Sequence, residues 1–258
     1  MKKKIIALAI SLMVLNAYAA DNSIYIDQSG DNATVTMTQD GTSNRIRGLE
    51  GTGTSNTTPA PIIGDNVSVT VEQIGSGNTL KLGIDTGTAS GGVNSSVSYK
   101  LTGSNATASI SMNGDSAGTS LSNVIDITQT STTGASTAVT MIGSGNTLTS
   151  VQSGGSYAGL TATISGTSNT ATVSQTGGAS NTATITQSGD YGTASITTVG
   201  ASNAVTVSQS GGTSGQTATL SLTGSSNTAS VTQSGTADHT TNIIGSGSGN
   251  TFTIIQRN

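Results

Sequence analysis

His239 is the one histidine in the chain, so a serine nucleophile activated by imidazole would have to be built on it. Asp238 stands beside it, but neighbours on a strand face opposite ways, and the segment around them breaks the surrounding pattern. It reads as a solvated loop histidine, and no catalytic residue is assigned. Acidic side chains that could hold a metal (Asp31, Asp65, Asp115, Asp190) are spread singly, whereas calcium-binding solenoid repeats place an aspartate in every turn. No metal and no cofactor are expected. Gly245-Ser-Gly-Ser-Gly249 has the glycines of a phosphate loop but neither the following lysine nor a helix.

What does recur is carboxamide. Gly166-Thr-Ser-Asn169-Thr-Ala-Thr-Val-Ser-Gln175 is followed by units that carry Gly178, Asn181 and Gln187, then Gly200, Asn203 and Gln209, then Gly224, Asn227 and Gln233. The glycine-to-glutamine offset is nine in each, and it returns at Gly30 to Gln39, Gly64 to Gln73, Gly143 to Gln152 and Gly247 to Gln256. A carboxamide both donates and accepts, so identical amides one repeat apart can bond along a stack. An amide buried without a partner costs about 1–3 kcal/mol. The residues expected to form such a structural ladder are Asn169, Gln175, Asn181, Gln187, Asn203, Gln209, Asn227, Gln233, Asn250 and Gln256.

The elements that must position them are strands. In Asn169 to Gln175, Asn, Ala, Val and Gln share one face while Thr170, Thr172 and Ser174 share the other. Threonine and valine favour strands, and Gly-Ser, Gly-Gly and Gly-Asn pairs between units are turn signals. Pro59 and Pro61 fall on the outward parity of a strand, where a missing donor does least harm. Following the glutamine position through the units where another residue replaces it gives about twenty slots from Gln28 to Gln256. They include Glu50, Ile62 and, near His239, Ile243. Steps are mostly 11 or 12 residues, and two longer steps mark loop insertions near 86–92 and 115–122.

The fold class read from this is all-β: a β-solenoid of about ten strand-turn-strand coils over residues 20–258, with no helix after the N-terminus, and a rod about 48 Å long. With two strands per coil, alternate slots stack. One column then runs Ile62, Ile84, Met112, Met141, Ile164, Gln187, Gln209, Gln233, Gln256, and the other contains Gln129, Gln152 and Gln175. Like lies on like. One unit alone buries too little to offset about 1–2 kcal/mol of backbone entropy per ordered residue, so stacking is the physical solution.

Residues 1–19 read as a signal peptide: Lys2, Lys3 and Lys4, an apolar run from Ile5 to Leu15, and Ala17-Tyr-Ala19 before the cut. The run is shorter than the roughly 20 residues of a membrane span. Three of the 8 basic residues lie in it, which leaves five against 12 acidic, or −7. Those five are scattered and the chain has no tryptophan, which argues against nucleic acid as a partner. With no cysteine there is no disulfide scaffold.

A unit of Gly-x-x-Asn-x-Ala-x-Val/Ile-x-Gln-x-Gly, twice per coil behind a signal peptide, resembles the curlin repeat family, the subunits of curli amyloid fibres. The likeness runs from Asn22 to Gln256 and is clearest from Asn169 to Gln233. It implies a secreted structural protein, not an enzyme, that polymerises with itself by coil stacking at the cell surface for adhesion and biofilm. It also implies a secretion channel or nucleator subunit as further partners. The alternative is a monomeric or capped solenoid, an adhesin or phage virion fibre contacting a surface or host receptor. A third reading is an ice- or surface-binding rod with outward threonine rows at Thr170/Thr172, Thr182/Thr184 and Thr217/Thr219.

Overall fold

The computed structural model describes residues 21–29, 34–49, 57–63, 67–85, 95–113, 122–212 and 215–258. The signal peptide expected at 1–19 lies outside them, as do the insertions expected near 86–92 and 115–122, apart from Ser122. Every regular element among the described residues is a β-strand, and the strands form two parallel sheets of twelve and nine strands. From Val67–Ser76 onward successive strands alternate between the sheets. The first sheet runs from Ser23–Ile24 and Ile26–Ser29 to Thr251–Arg257, and the second from Thr34–Thr42 to Thr240–Ser246. Each coil is therefore strand, turn, strand, turn, and the molecule is a β-solenoid.

Alternation in the sequence becomes alternation in burial. In Thr170–Thr176 the side chains of Ala171, Val173 and Gln175 are buried while Thr170, Thr172 and Thr176 are exposed. The core between the sheets is built from such columns. Val173, Ile196, Leu220 and Ile243 stack in the second sheet, and Ile185, Val207, Val231 and Ile254 in the first. Burying each aliphatic residue contributes about 1.5–3 kcal/mol. The backbone of every interior strand is also paired on both sides, which no single coil could achieve.

Two details of the slot assignment are corrected. Arg45–Gly48 and Ala60–Ile63 both pair with Thr79–Asp85, the first through Arg45↔Thr79 to Gly48↔Leu82 and the second through Ile62↔Ile84. They are two pieces of one layer, held edge to edge where the Gly48 amide donates to the Thr58 carbonyl at 2.8 Å. Ile62 holds the slot between Gln28 and Ile84, and Glu50 lies outside the described residues. Near the other end the slot belongs to Gly245, paired with Leu222, while Ile243 pairs with Leu220. The physical reason is Phe252, whose ring occupies the space that a Cβ at Gly245 would enter.

Turns in both directions between the sheets use a fixed backbone device. Gly143, Gly166, Gly200 and Gly224 have φ between 109° and 114°, and a Cβ at Gly200 would run into the Gly224 carbonyl of the next coil. The residue before the strand-start asparagine is left-handed, as at Ser202 (φ 57) and Ser226 (φ 58). Glycine at the first position is required by the close approach, and serine tolerates the second at the cost of mild strain.

Candidate assembly site: the amide ladders

The strand-start asparagines bond to the coil ahead in one repeated way. Asn169 donates through Nδ2 to the Gly189 carbonyl at 2.7 Å and accepts at Oδ1 from the Gly192 amide at 2.8 Å. Asn181 does the same to Gly200 and Asn203, Asn203 to Gly224 and Asn227, and Asn227 to Gly247 and Asn250. Nδ2 of Asn181 and Asn250 also reaches the carbonyl four residues back, at 3.0 Å in each. Each asparagine thereby satisfies turn groups that no ladder bond reaches, and it fixes the rise of its own turn. Asn22, Asn44, Asn78, Asn123 and Asn146 share the role, although the ladder expected from sequence begins only at Asn169.

The glutamines form two ladders of one polarity. In the second sheet Gln129 Nε2 donates to Gln152 Oε1 (2.6 Å) and Gln152 to Gln175 (2.7 Å). In the first, Gln187 donates to Gln209 (2.9 Å), Gln209 to Gln233 (2.9 Å) and Gln233 to Gln256 (2.8 Å). Donation always runs toward the C-terminus. The second N–H of the first-sheet glutamines crosses to the other sheet, to the carbonyls of Thr170, Thr193, Thr217 and Thr240. The register places Ile62, Ile84, Met112, Met141, Ile164, Gln187, Gln209, Gln233 and Gln256 in one column.

The two sheets exchange roles midway. Behind Gln187 the first-sheet slots are aliphatic from Ile164 back to Ile62, and beyond Gln175 the second-sheet slots are Thr198, Leu222 and Gly245. Successive turns midway along the stack show the same trade. Gln129 and Gln152 precede Ala135 and Ala158, whereas Met141 and Ile164 precede Asn146 and Asn169. A corner has room and partners for a glutamine or for an asparagine beside an aliphatic. Where a buried corner holds both, at Gln73 with Asn78 and Gln175 with Asn181, the glutamine keeps an unpartnered atom, Oε1 of Gln73 and Nε2 of Gln175.

Residues not assigned to the ladder from sequence complete the columns, among them His239, read there as a solvated loop residue. Gly192, Gln216 and His239 succeed Asn169 at the strand start, each directly before a threonine, and the Asn-Thr pairing would have been the signal. His239 Nε2 lies 3.2 Å from the Ser234 carbonyl, so the histidine is a half-buried member of the stack. Tyr99, 1% exposed, is bonded to Gln129, and burial pushes its phenol well above the ordinary value. Among the described residues no three His, Cys, Asp or Glu side chains gather where a metal ion could sit. The arrangement offers hydrogen bonding along the stack.

Among the described residues the outermost strands are covered on one side only. Ile24, Ile26, Val35 and Met37 at one end, and Phe252 and Ile254 at the other, pack on the core but are only partly buried. Gln256 accepts from Gln233 and from Thr241, and its strand, Thr251–Arg257, is outermost in its sheet.

Against known proteins, residues 178–211 match the family model described as curlin associated repeat. The match spans three consecutive strands, Thr182–Ser188, Thr193–Val199 and Ala204–Ser210. No curated protein matches the chain.

Proposed function

We propose that this protein is a secreted fibre subunit whose copies join end to end by continuing the coil stack, in the manner of curli, at the cell surface or in a biofilm matrix. The observation that carries the reading is the uncovered core at the outermost strands, with Phe252, Ile254 and Gln256 on one side and Val35, Met37 and Gln39 on the other. A long, flat, partly apolar strand edge is a template for another chain, and one offering a ready column of amides selects a partner with the same repeat. The curlin repeat at 178–211 supports the same conclusion. The test is growth of cross-β fibres from purified mature protein, accelerated by sonicated seeds of the same protein. A chain that stays monomeric at high concentration in the presence of seeds would rule the reading out.

A second reading has one observation in its favour. Thr147, Thr170, Thr193, Thr217 and Thr240 form an unbroken outward column in the second sheet, beside Thr149 and Thr172. Such a row could meet an ordered hydroxylated surface such as ice. Thermal hysteresis in a freezing assay would separate it from the fibre reading.

A further inference from the structure

The two outermost layers of the first sheet carry the same unit. Residues 22–29 place Asn22, Ile24, Ile26 and Gln28 at the inward parity, and residues 250–257 place Asn250, Phe252, Ile254 and Gln256 there. The register of the sheet puts Ser23 in the column of Thr251, and Gln28 in that of Gln256. The backbone vectors agree as well. The Ser23 and Tyr25 amides donate to the Asn44 and Ile46 carbonyls of the coil ahead at 2.9 Å, and Asn22 Oδ1 accepts from the Asn44 amide. Thr251, Thr253 and Asn250 hold those same positions in the last strand, where no described strand lies ahead.

As they stand, the two ends do not fit together. The twelve strands of the first sheet make ten layers, because residues 23–29 form one layer from two pieces, as do Arg45–Gly48 with Ala60–Ile63. The second sheet has nine strands and nine layers. The outermost described strand therefore belongs to the first sheet at each end. If residues 23–29 of one copy lay on Thr251–Arg257 of another, Thr34–Thr42 would stand two strand spacings, about 10 Å, from Thr240–Ser246. That is beyond hydrogen-bonding reach, and Val35 and Met37 would stay uncovered.

Release of residues 23–29 removes the mismatch. Thr251–Arg257 of one copy then takes their place on Arg45–Gly48 and Ala60–Ile63 of the next, and Thr34–Thr42 lands directly on Thr240–Ser246. The columns continue, with Thr34 over Thr240 and Met37 over Ile243. The strand that leaves is the weakly held one. Its two pieces pair over two and four residues, with Ile24 and Ile26 only partly buried, whereas Thr251–Arg257 is anchored by an unbroken seven-residue ladder.

We propose that residues 22–29 are a displaceable cap, and that copies join by strand exchange in which residues 250–257 of a second copy occupy the place of the cap. The inference rests on the end-to-end reading above and specifies its junction. The occupant is a second copy because its last strand repeats the asparagine, apolar and glutamine positions of the cap in the same register.

The test is a reversible lock on the cap. Ser29 and Ile63 are register partners with exposed side chains, and neighbouring strands lie within the Cα separation that a disulfide spans. The chain has no cysteine, so Ser29→Cys with Ile63→Cys introduces a single pair. The oxidised full mature chain should lose growth from seeds of the unaltered protein, and reduction should restore it. In the unaltered protein, amide hydrogen exchange at Tyr25, protected in the rod by its bond to Ile46, should become fast in the fibre, while Thr253 should become protected. Seeded growth that is equal in the oxidised and reduced forms, or a Tyr25 amide that stays protected in the fibre, overturns strand exchange and leaves end-to-end joining in place. Failure of the unaltered chain to extend its own seeds overturns both.

Discussion

The Tyr99 hydroxyl donates to Gln129 Oε1 across 3.2 Å, both side chains being buried. Gln129 is the first member of its ladder. The slot behind it is Leu101, which has no donor, and Tyr99 stands two residues earlier in the same strand. The phenol therefore closes the ladder that the leucine leaves open. Tyr99→Phe keeps the ring and orphans the acceptor, so a loss of about 1–3 kcal/mol is expected, read as a lower denaturant midpoint in the folded chain.

The same pair sets an alkaline limit. Burial raises the Tyr99 pKa in the fold, whereas the unfolded chain ionises near the ordinary value of about 10. Above that pH the unfolded state binds fewer protons than the native one, so stability falls as pH rises. The contribution is complete below pH about 10 and is lost progressively above it. Comparison of unfolding midpoints at neutral pH and at pH about 11 should show a drop in the unaltered chain that is smaller in Tyr99→Phe. An equal drop in both would assign the alkaline loss to other groups.

Gln209 tests whether ladder polarity matters. Its Nε2 donates to Gln233 Oε1, to the Thr193 carbonyl and to the Gln216 carbonyl. Gln209→Glu keeps the shape but replaces the donor by a buried carboxylate facing acceptors. Desolvation raises the pKa of such a group, so the variant gains stability as pH falls and loses it as pH rises through the folded value. Weak assembly or folding at pH 7 with partial recovery below about pH 4 is expected. Gln209→Met should be impaired to a similar extent at both pH values, and a pH profile shared by the two variants would refute the argument.

Much of this could be read in the chain because the nine-residue offset and the two-residue strand period are local. The column from Ile62 to Gln256 follows from counting. That Arg45–Gly48 and Ala60–Ile63 form one layer on the partner strand Thr79–Asp85 is a non-local fact. Ile243 failed because Phe252 fills the slot from another coil. The trade of glutamine with alanine against aliphatic with asparagine at successive corners is a matter of shared volume between sheets, which no single strand displays. In the sequence nothing sets Tyr99 apart from the other tyrosines, because its diagonal reach to Gln129 crosses between coils.

Two glycines in neighbouring turns separate crowding from backbone strain. Gly177 has φ 65 and nothing within 4 Å of an added Cβ, whereas Gly200 has φ 112 and faces the Gly224 carbonyl. Gly177→Ala should cost only the left-handed penalty of about 1–2 kcal/mol. Gly200→Ala must also push two coils apart, which breaks the bond from Asn203 Nδ2 to the Gly224 carbonyl, and it should cost about 1–3 kcal/mol more. Denaturant midpoints that fall equally for both would show that the coil spacing is more compliant than the packed carbonyls indicate.

The exposed end of the stack supplies the sharpest separation of folding from assembly. Ile254 lies over Val231 in the outermost strand of the first sheet and is only partly buried. A lysine there can turn its ammonium to solvent in the isolated rod, because no strand covers it. Once a second copy stacks on Thr251–Arg257, the same charge is enclosed between two layers of apolar side chains, where an unpaired ion costs several kcal/mol. Ile254→Lys should therefore keep the circular dichroism of the folded chain while slowing seeded fibre growth at least tenfold, since 1.4 kcal/mol already corresponds to that factor. Val231→Lys, one layer inward at a fully buried position, should fail to fold. Unchanged seeded growth in a folded Ile254→Lys protein would mean that copies do not join through this edge.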